Sequence, residues 1–217
     1  MNNNRFSSIF WDFGGVITSS PFEAFNRYEF EVGLPKDFIR KINSTNSDKN
    51  AWALLEQSKI SLDEFDSLFA KESNELGFEV RGSNILALLQ GDLRPEILKV
   101  LKKLKSLGFK QACLTNNFDS GEKNNSALDD KNEERIEIMS LFDHIIESKI
   151  IGVRKPDIEF YKIALQITEA DPLKTIFLDD LGINLKTAKK MGISTIKVFS
   201  GIQAINELEN LIDVDLS

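Results

Sequence analysis

Phe6, Ile9, Phe10 and Trp11 form a short apolar run that leads into Asp12 and then Gly14-Gly15. An apolar run stopped by paired glycines predicts a buried strand that ends in a sharp turn. From Ser20 the apolar positions shift to helical spacing. Ser20-Pro21-Phe22-Glu23 places a serine at the N-cap, a proline at the first helical position and a glutamate three residues after the cap. Ser61-Leu62-Asp63-Glu64 repeats this capping box, and Ile60 and Phe65 are spaced to staple it. No convincing strand pattern occurs between about residues 20 and 92, so this block is predicted to be a small helical bundle.

After Pro95 the character changes. Ile97, Leu98, Leu101 and Leu104 share a helical face that Gly108 closes. Strands are predicted at Lys110–Leu114, His144–Glu147, Thr175–Leu178 and Ser194–Phe199. Helices are predicted over 131–141, Pro156–Ile167, Leu181–Met191 and about 202–212, and the polar stretch 119–130 is expected to be a mobile loop. Strands alternating with helices indicate an α/β fold, a parallel sheet covered on both faces. The expected organisation is an α/β core of residues 1–17 and 93–217, with residues 18–92 inserted as a helical module. An insertion directly after the first strand would sit over the carboxyl edge of the sheet, where such sheets bind ligands.

The net charge of −7 argues against a nucleic-acid partner. One cysteine excludes an internal disulfide framework and a multi-cysteine metal site. The longest apolar runs, Ala51–Leu55 and Ile85–Leu89, are far too short to span a membrane. The opening MNNNRFSSIF lacks the apolar stretch of a secretory signal, so a cytoplasmic monomer or homodimer is expected.

The informative feature is the set of polar residues at strand ends. Asp12 ends the first strand, Thr115 the second, and Asp179 and Asp180 follow the fourth; Lys155 lies in the loop after the third. In a parallel sheet these ends share one edge. Three carboxylates and one lysine carry a charge of −2, which would repel an anionic substrate. A divalent cation brings the cluster to neutrality, and an all-oxygen set favours Mg²⁺. Asp12 could then act as a nucleophile on phosphorus. Thr115 and nearby backbone N–H groups could hold phosphoryl oxygens, and Lys155 could neutralise transition-state charge.

Asp12-Phe13-Gly14-Gly15-Val16, Leu114-Thr115-Asn116, Arg154-Lys155-Pro156 and Phe177-Leu178-Asp179-Asp180 resemble the four ordered motifs of the haloacid dehalogenase superfamily. Asp179–Leu185, Leu114–Asn116 and Phe142–Lys155 are similar to the epoxide hydrolase N-terminal-domain-like phosphatases. The resemblance covers the core and is weak in the helical module. It implies a Rossmann-like three-layer core, a helical cap, Mg²⁺ and a phospho-aspartyl intermediate in the hydrolysis of a small phosphorylated metabolite. Carried over, Asp12 is nucleophile and metal ligand, Asp180 a direct ligand, and Asp179 the residue that orients Lys155 and metal-bound water. Thr115, Asn116, Lys155 and Gly15 would bind the phosphoryl group. Asn184 would support the metal shell or serve only as a helix N-terminal residue.

One position departs from the family pattern. Phosphatases of this kind usually carry a second Asp two residues after the nucleophile, and here that residue is Gly14. Its carbonyl remains available to the metal, but the acid–base carboxyl is lost. This keeps open an impaired, phosphometabolite-binding regulatory module, and a dehalogenase, which needs no such acid. His144, the lone histidine, starts its strand and so lies at the opposite edge, in a structural role. Cys113 reads as a buried packing residue, and Trp52, Glu56 and Arg81 of the helical module read as packing or surface.

Overall fold

The computed structural model describes residues 5–89, 91–117 and 129–216. Strands β1 (Ser8–Trp11), β2 (Lys110–Thr115), β3 (His144–Glu147), β4 (Thr175–Asp179) and β5 (Ser194–Lys197) form one parallel sheet in the order β3-β2-β1-β4-β5. Their apolar side chains alternate between two cores, which is why the strands read as continuous apolar runs. Ile9, Trp11, Cys113, Ile176, Leu178 and Ile196 pack with helices α6 (Pro95–Ser106) and α11 (Gly201–Ile212). On the other face, Phe10, Ala112, Leu114, Ile146 and Phe177 pack with Phe160 and Ala164 of α9 (Ile158–Thr168) and Leu185 and Ala188 of α10 (Gly182–Lys190).

Helices α1 (Pro21–Glu31), α2 (Phe38–Ser44), α3 (Ala51–Glu56), α4 (Leu62–Glu75) and α5 (Gly82–Ala87) follow β1 and enclose a third core built around Phe25, Ile39, Leu55, Phe65 and Phe69. The chain leaves and re-enters the sheet side by side. Thr18 and Leu93 form an antiparallel bridge, flanked by Ser19 N–H to Asp92 O at 2.8 Å and Arg94 N–H to Ile17 O at 2.9 Å. The capping box at Ser61 and Glu64 forms in full. At Ser20 the expected box does not appear. The hydroxyl accepts from Phe22 N–H at 3.4 Å and also lies 3.5 Å from Asp180 Oδ2, so the cap residue faces the sheet edge.

Several boundaries differ from expectation for local reasons. Helix α9 starts at Ile158 because Asp157 is its N-cap, accepting from Glu159 N–H at 2.9 Å. Strand β5 stops at Lys197 because Phe199 N–H turns to Gln203 Oε1, part of the capping box of α11. The one-turn helix α8 (Ser148–Ile151), closed by Gly152 at φ 74°, is too short to register as periodicity. Residues 119–128 of the expected loop lie outside the described residues, whereas 129–130 open helix α7 (Asp129–Met139). Among the described residues no helix is long and apolar enough to cross a membrane.

Candidate active site

Strand order reverses between β1 and β4, since the chain runs outward from β1 to β3 before returning to β4. Trp11 pairs with Leu178 and Asp12 N–H donates to Leu178 O at 2.9 Å, so Asp12 and Asp179 emerge side by side at this switch point. Asp12 Oδ1 accepts from Phe13 N–H at 2.7 Å. Lys155 Nζ reaches Asp12 Oδ1 at 2.8 Å and Asp179 Oδ2 at 2.9 Å, with its side chain 1% exposed. The ammonium also lies 5.4 Å from the centre of the Phe177 ring.

Asp179 is fully buried and held from three sides. Besides Lys155 it accepts from Leu181 N–H at 2.7 Å and from the Asn184 amide at 3.1 and 3.0 Å. Asn184 in turn offers its carbonyl to the Tyr161 hydroxyl at 3.0 Å. Asn184 therefore braces Asp179, which braces Lys155. Thr115 stands half-buried at the end of β2. The Asn116 side chain clasps the lysine backbone, accepting from Lys155 N–H at 2.9 Å and donating to Lys155 O at 3.0 Å.

Asp12, Asp179 and Asp180 each present a carboxylate oxygen within 4.8 Å of the others. The cost of this crowding falls on the acidities of Asp12 and Asp180. Burial raises the Asp12 carboxyl; Lys155 pulls it down, Asp179 and Asp180 push it up, and the balance leaves it at about 8. Burial and then Asp179 push Asp180 up to about 6. Burial alone would lower the Lys155 ammonium, but Asp12 and Asp179 outweigh it and hold the charge firmly on. The cluster is short of positive charge, and its donors are all hard oxygens. It fits a hard divalent cation on both counts.

The two glycines serve different purposes. Gly15 has φ 80°, and a Cβ there would fall 2.4 Å from Asp180 Oδ2. Gly14 has φ −71° and ψ 127°, an ordinary extended conformation, with nothing within 4 Å of a built Cβ. Residue 14 is thus open to a side chain, while residue 15 is not.

Two residues join the site that the motifs did not single out. Ser20 approaches Asp180 from α1, as described above. Glu56, at the end of α3, is buried and accepts from Trp52 Nε1 at 2.9 Å, Asn116 Nδ2 at 3.3 Å and the Arg154 guanidinium. Burial raises its carboxyl, and Arg154 opposes that rise without cancelling it. Only the i, i+4 spacing of Trp52 and Glu56 hinted at this pairing. Trp52 itself packs edge-on to Phe65, and Arg81 pairs with Asp66 at the surface. His144 pairs with Ala112 at the start of β3, at the far edge, and Cys113 is fully buried.

The chain is similar to several known proteins. The chain is 31% identical over 218 residues to acyl-CoA dehydrogenase family member 10 of Mus musculus, covering 97% of this chain and 20% of that protein. It is 30% identical over 213 residues to mouse bifunctional epoxide hydrolase 2, covering 93% and 38%. The chain thus spans well under half the length of these two relatives. With the sesquiterpene phosphatase astK of Aspergillus oryzae it shares 29% identity over 95% of this chain and 97% of that one. A haloacid dehalogenase family enzyme from Bacteroides thetaiotaomicron, solved with magnesium and inorganic phosphate, superimposes with a TM-score of 0.59 at 22% identity, over 90% of this chain and 96% of that one. The description haloacid dehalogenase-like hydrolase matches residues 6–192, most of the length over which the sheet edge and its acids are built, and the chain belongs to that family.

Proposed function

We propose that this chain is a Mg²⁺-dependent phosphatase that hydrolyses a small phosphorylated metabolite through an aspartyl-phosphate on Asp12. The observation that carries this reading is the Lys155 ammonium held 2.8 Å from Asp12 and 2.9 Å from Asp179 beside a third carboxylate, at the switch point of the sheet. Asp12, Asp180 and the Gly14 carbonyl would hold the metal, with Asp179 and Asn184 behind them. When bound, the ion neutralises the acids and attracts a phosphoryl oxygen.

The chain's own residues do the rest. Asp12 attacks phosphorus and the ester P–O bond breaks, so the alkoxide leaves with the bonding pair and takes its proton from water. Lys155, fixed by Asp179, donates to a phosphoryl oxygen as negative charge shifts. The Thr115 hydroxyl and the Gly15 N–H would hold the remaining oxygens. Asn116 keeps the Lys155 backbone at a constant distance from the end of β2. Water then attacks the acyl phosphate and returns Asp12. Helices α1–α5 act as a cap, residues 18–92, over the core of residues 1–17 and 93–217; closing it would exclude water from the first displacement.

Gly14 favours a second reading. A site without the acid that protonates the leaving alkoxide would form the aspartyl-phosphate slowly or fail to resolve it, and could serve as a phosphometabolite-binding module. One experiment separates the two: phosphate release from a panel of phosphorylated metabolites with Mg²⁺, beside Asp12→Asn. Sustained release in the native protein and none in the variant supports the enzyme. A single equivalent without turnover supports the binding module, and full activity in Asp12→Asn would overturn the nucleophile assignment.

A further inference from the structure

The end of β2, which carries Thr115, and the loop that carries Lys155 are joined by one side chain. Asn116 grips the Lys155 backbone from both sides, at 2.9 and 3.0 Å. The third partner of that amide is Glu56 Oε2 at 3.3 Å, which arrives from α3. The same oxygen takes the Arg154 guanidinium, whose other arm reaches the Ser47 carbonyl. Arg154 is the chain neighbour of Lys155, while Ser47 and Glu56 both belong to the helical insertion. The Arg154 and Glu56 side chains are only 14% and 10% exposed, so this is a largely desolvated ion pair between the two parts of the molecule. Pairs of this kind set geometry more than they add stability.

We propose that Glu56 is a positioning residue that makes the placement of Lys155 and Thr115 depend on the docking of α3. The proposal rests on the phosphatase reading of the site. With α3 seated, Glu56 occupies the Arg154 guanidinium and one Asn116 hydrogen, and both segments are held. With α3 withdrawn, the Arg154 guanidinium loses its carboxylate one residue from Lys155, Asn116 loses its outer support, and both segments are free to shift. The side chains hydrogen-bonded to Glu56 are all donors, so its carboxylate serves as a brace rather than as a proton source for the leaving group.

The test uses the full chain with Glu56→Gln, Arg154→Ala, Arg154→Lys and the Glu56→Gln/Arg154→Ala double variant. p-Nitrophenyl phosphate and acetyl phosphate are the probes, with Mg²⁺ present. Misplaced segments should lower kcat by about 10- to 100-fold with little change in KM, and by the same factor for both probes. The double variant should lose no more than either single one, and Arg154→Lys should recover only part of the rate. Arg154→Ala should also shift Trp52 emission to the red, read against Trp52→Phe, which retains only Trp11. Variants that melt lower but keep kcat would reduce the pair to packing. A raised KM with kcat intact would make it a substrate contact, and either result overturns the proposal. If the native chain hydrolyses neither these probes nor any metabolite of the panel, the phosphatase reading fails, and the emission experiment decides alone: no shift in Arg154→Ala rejects the tie.

Discussion

Gly15 and Asp180 share a space that holds only one side chain: a Cβ on residue 15 would fall 2.4 Å from Asp180 Oδ2. The backbone there has φ 80°, which an L side chain adopts at a cost of about 1 kcal/mol. Gly15→Ala therefore either pushes Asp180 off the acid cluster or unwinds the turn after β1. We expect phosphate release to fall about 100-fold, with a loss of about 1–3 kcal/mol in thermal unfolding. A variant with native rates would show that Asp180 can move without consequence.

Gly14 behaves in the opposite way. Its extended backbone and open surroundings accept a side chain, so Gly14→Asp should change stability by no more than about 0.5 kcal/mol. If the missing carboxyl is what limits the native protein, turnover in steady-state assays rises by about 10²-fold. A flat or lower rate would assign protonation of the leaving group to some other donor.

These two glycines show what could be read before the fold was known. Asp12, Thr115, Asp179 and Asp180 were legible because buried parallel strands are apolar up to the edge, and a polar residue there stands out against the run. The adjacent glycines marked a turn, but not which of them the turn required; that depends on Asp180, distant in the chain. Asn184 was ambiguous for the same reason, because its bond to Asp179 is settled by how α10 leaves β4. Glu56 was hardest. It meets Asn116 and Arg154 across 60 and 98 residues, and no local pattern encodes a contact made when two separately cored units come together.

Lys155 is the keystone of charge in the cluster, and its removal has a measurable signature. Lys155→Met leaves Asp12 and Asp179 buried without their counter-charge. Breaking a buried pair in this way costs about 3–5 kcal/mol. Protonation of Asp12 relieves part of that cost, so the variant should melt closest to the native protein near about pH 5 and fall furthest behind near about pH 8. Equal deficits at both ends of that range would show that Lys155 acts through packing rather than charge.

Proton and metal should compete for the same oxygens. The Asp12 carboxyl is raised from 3.8 to about 8, and Asp180 from 3.8 to about 6. Between about pH 4 and about pH 8 the folded, chelated protein thus keeps protons that the unfolded chain has released. By linkage its stability falls as pH rises through that window. The raised Lys155 has the same sign, but its window lies above its ordinary 10.5, so its contribution is fully present and constant here. Mg²⁺ must displace the bound protons, so it binds more tightly as pH rises, and at a hundredfold excess over Kd it stabilises by about 2.7 kcal/mol. Melting curves with EDTA and with Mg²⁺ should converge toward about pH 5 and separate most near about pH 8. A gap independent of pH would remove Asp12 and Asp180 from the ligand set, because a cation held by other groups has no protons here to displace.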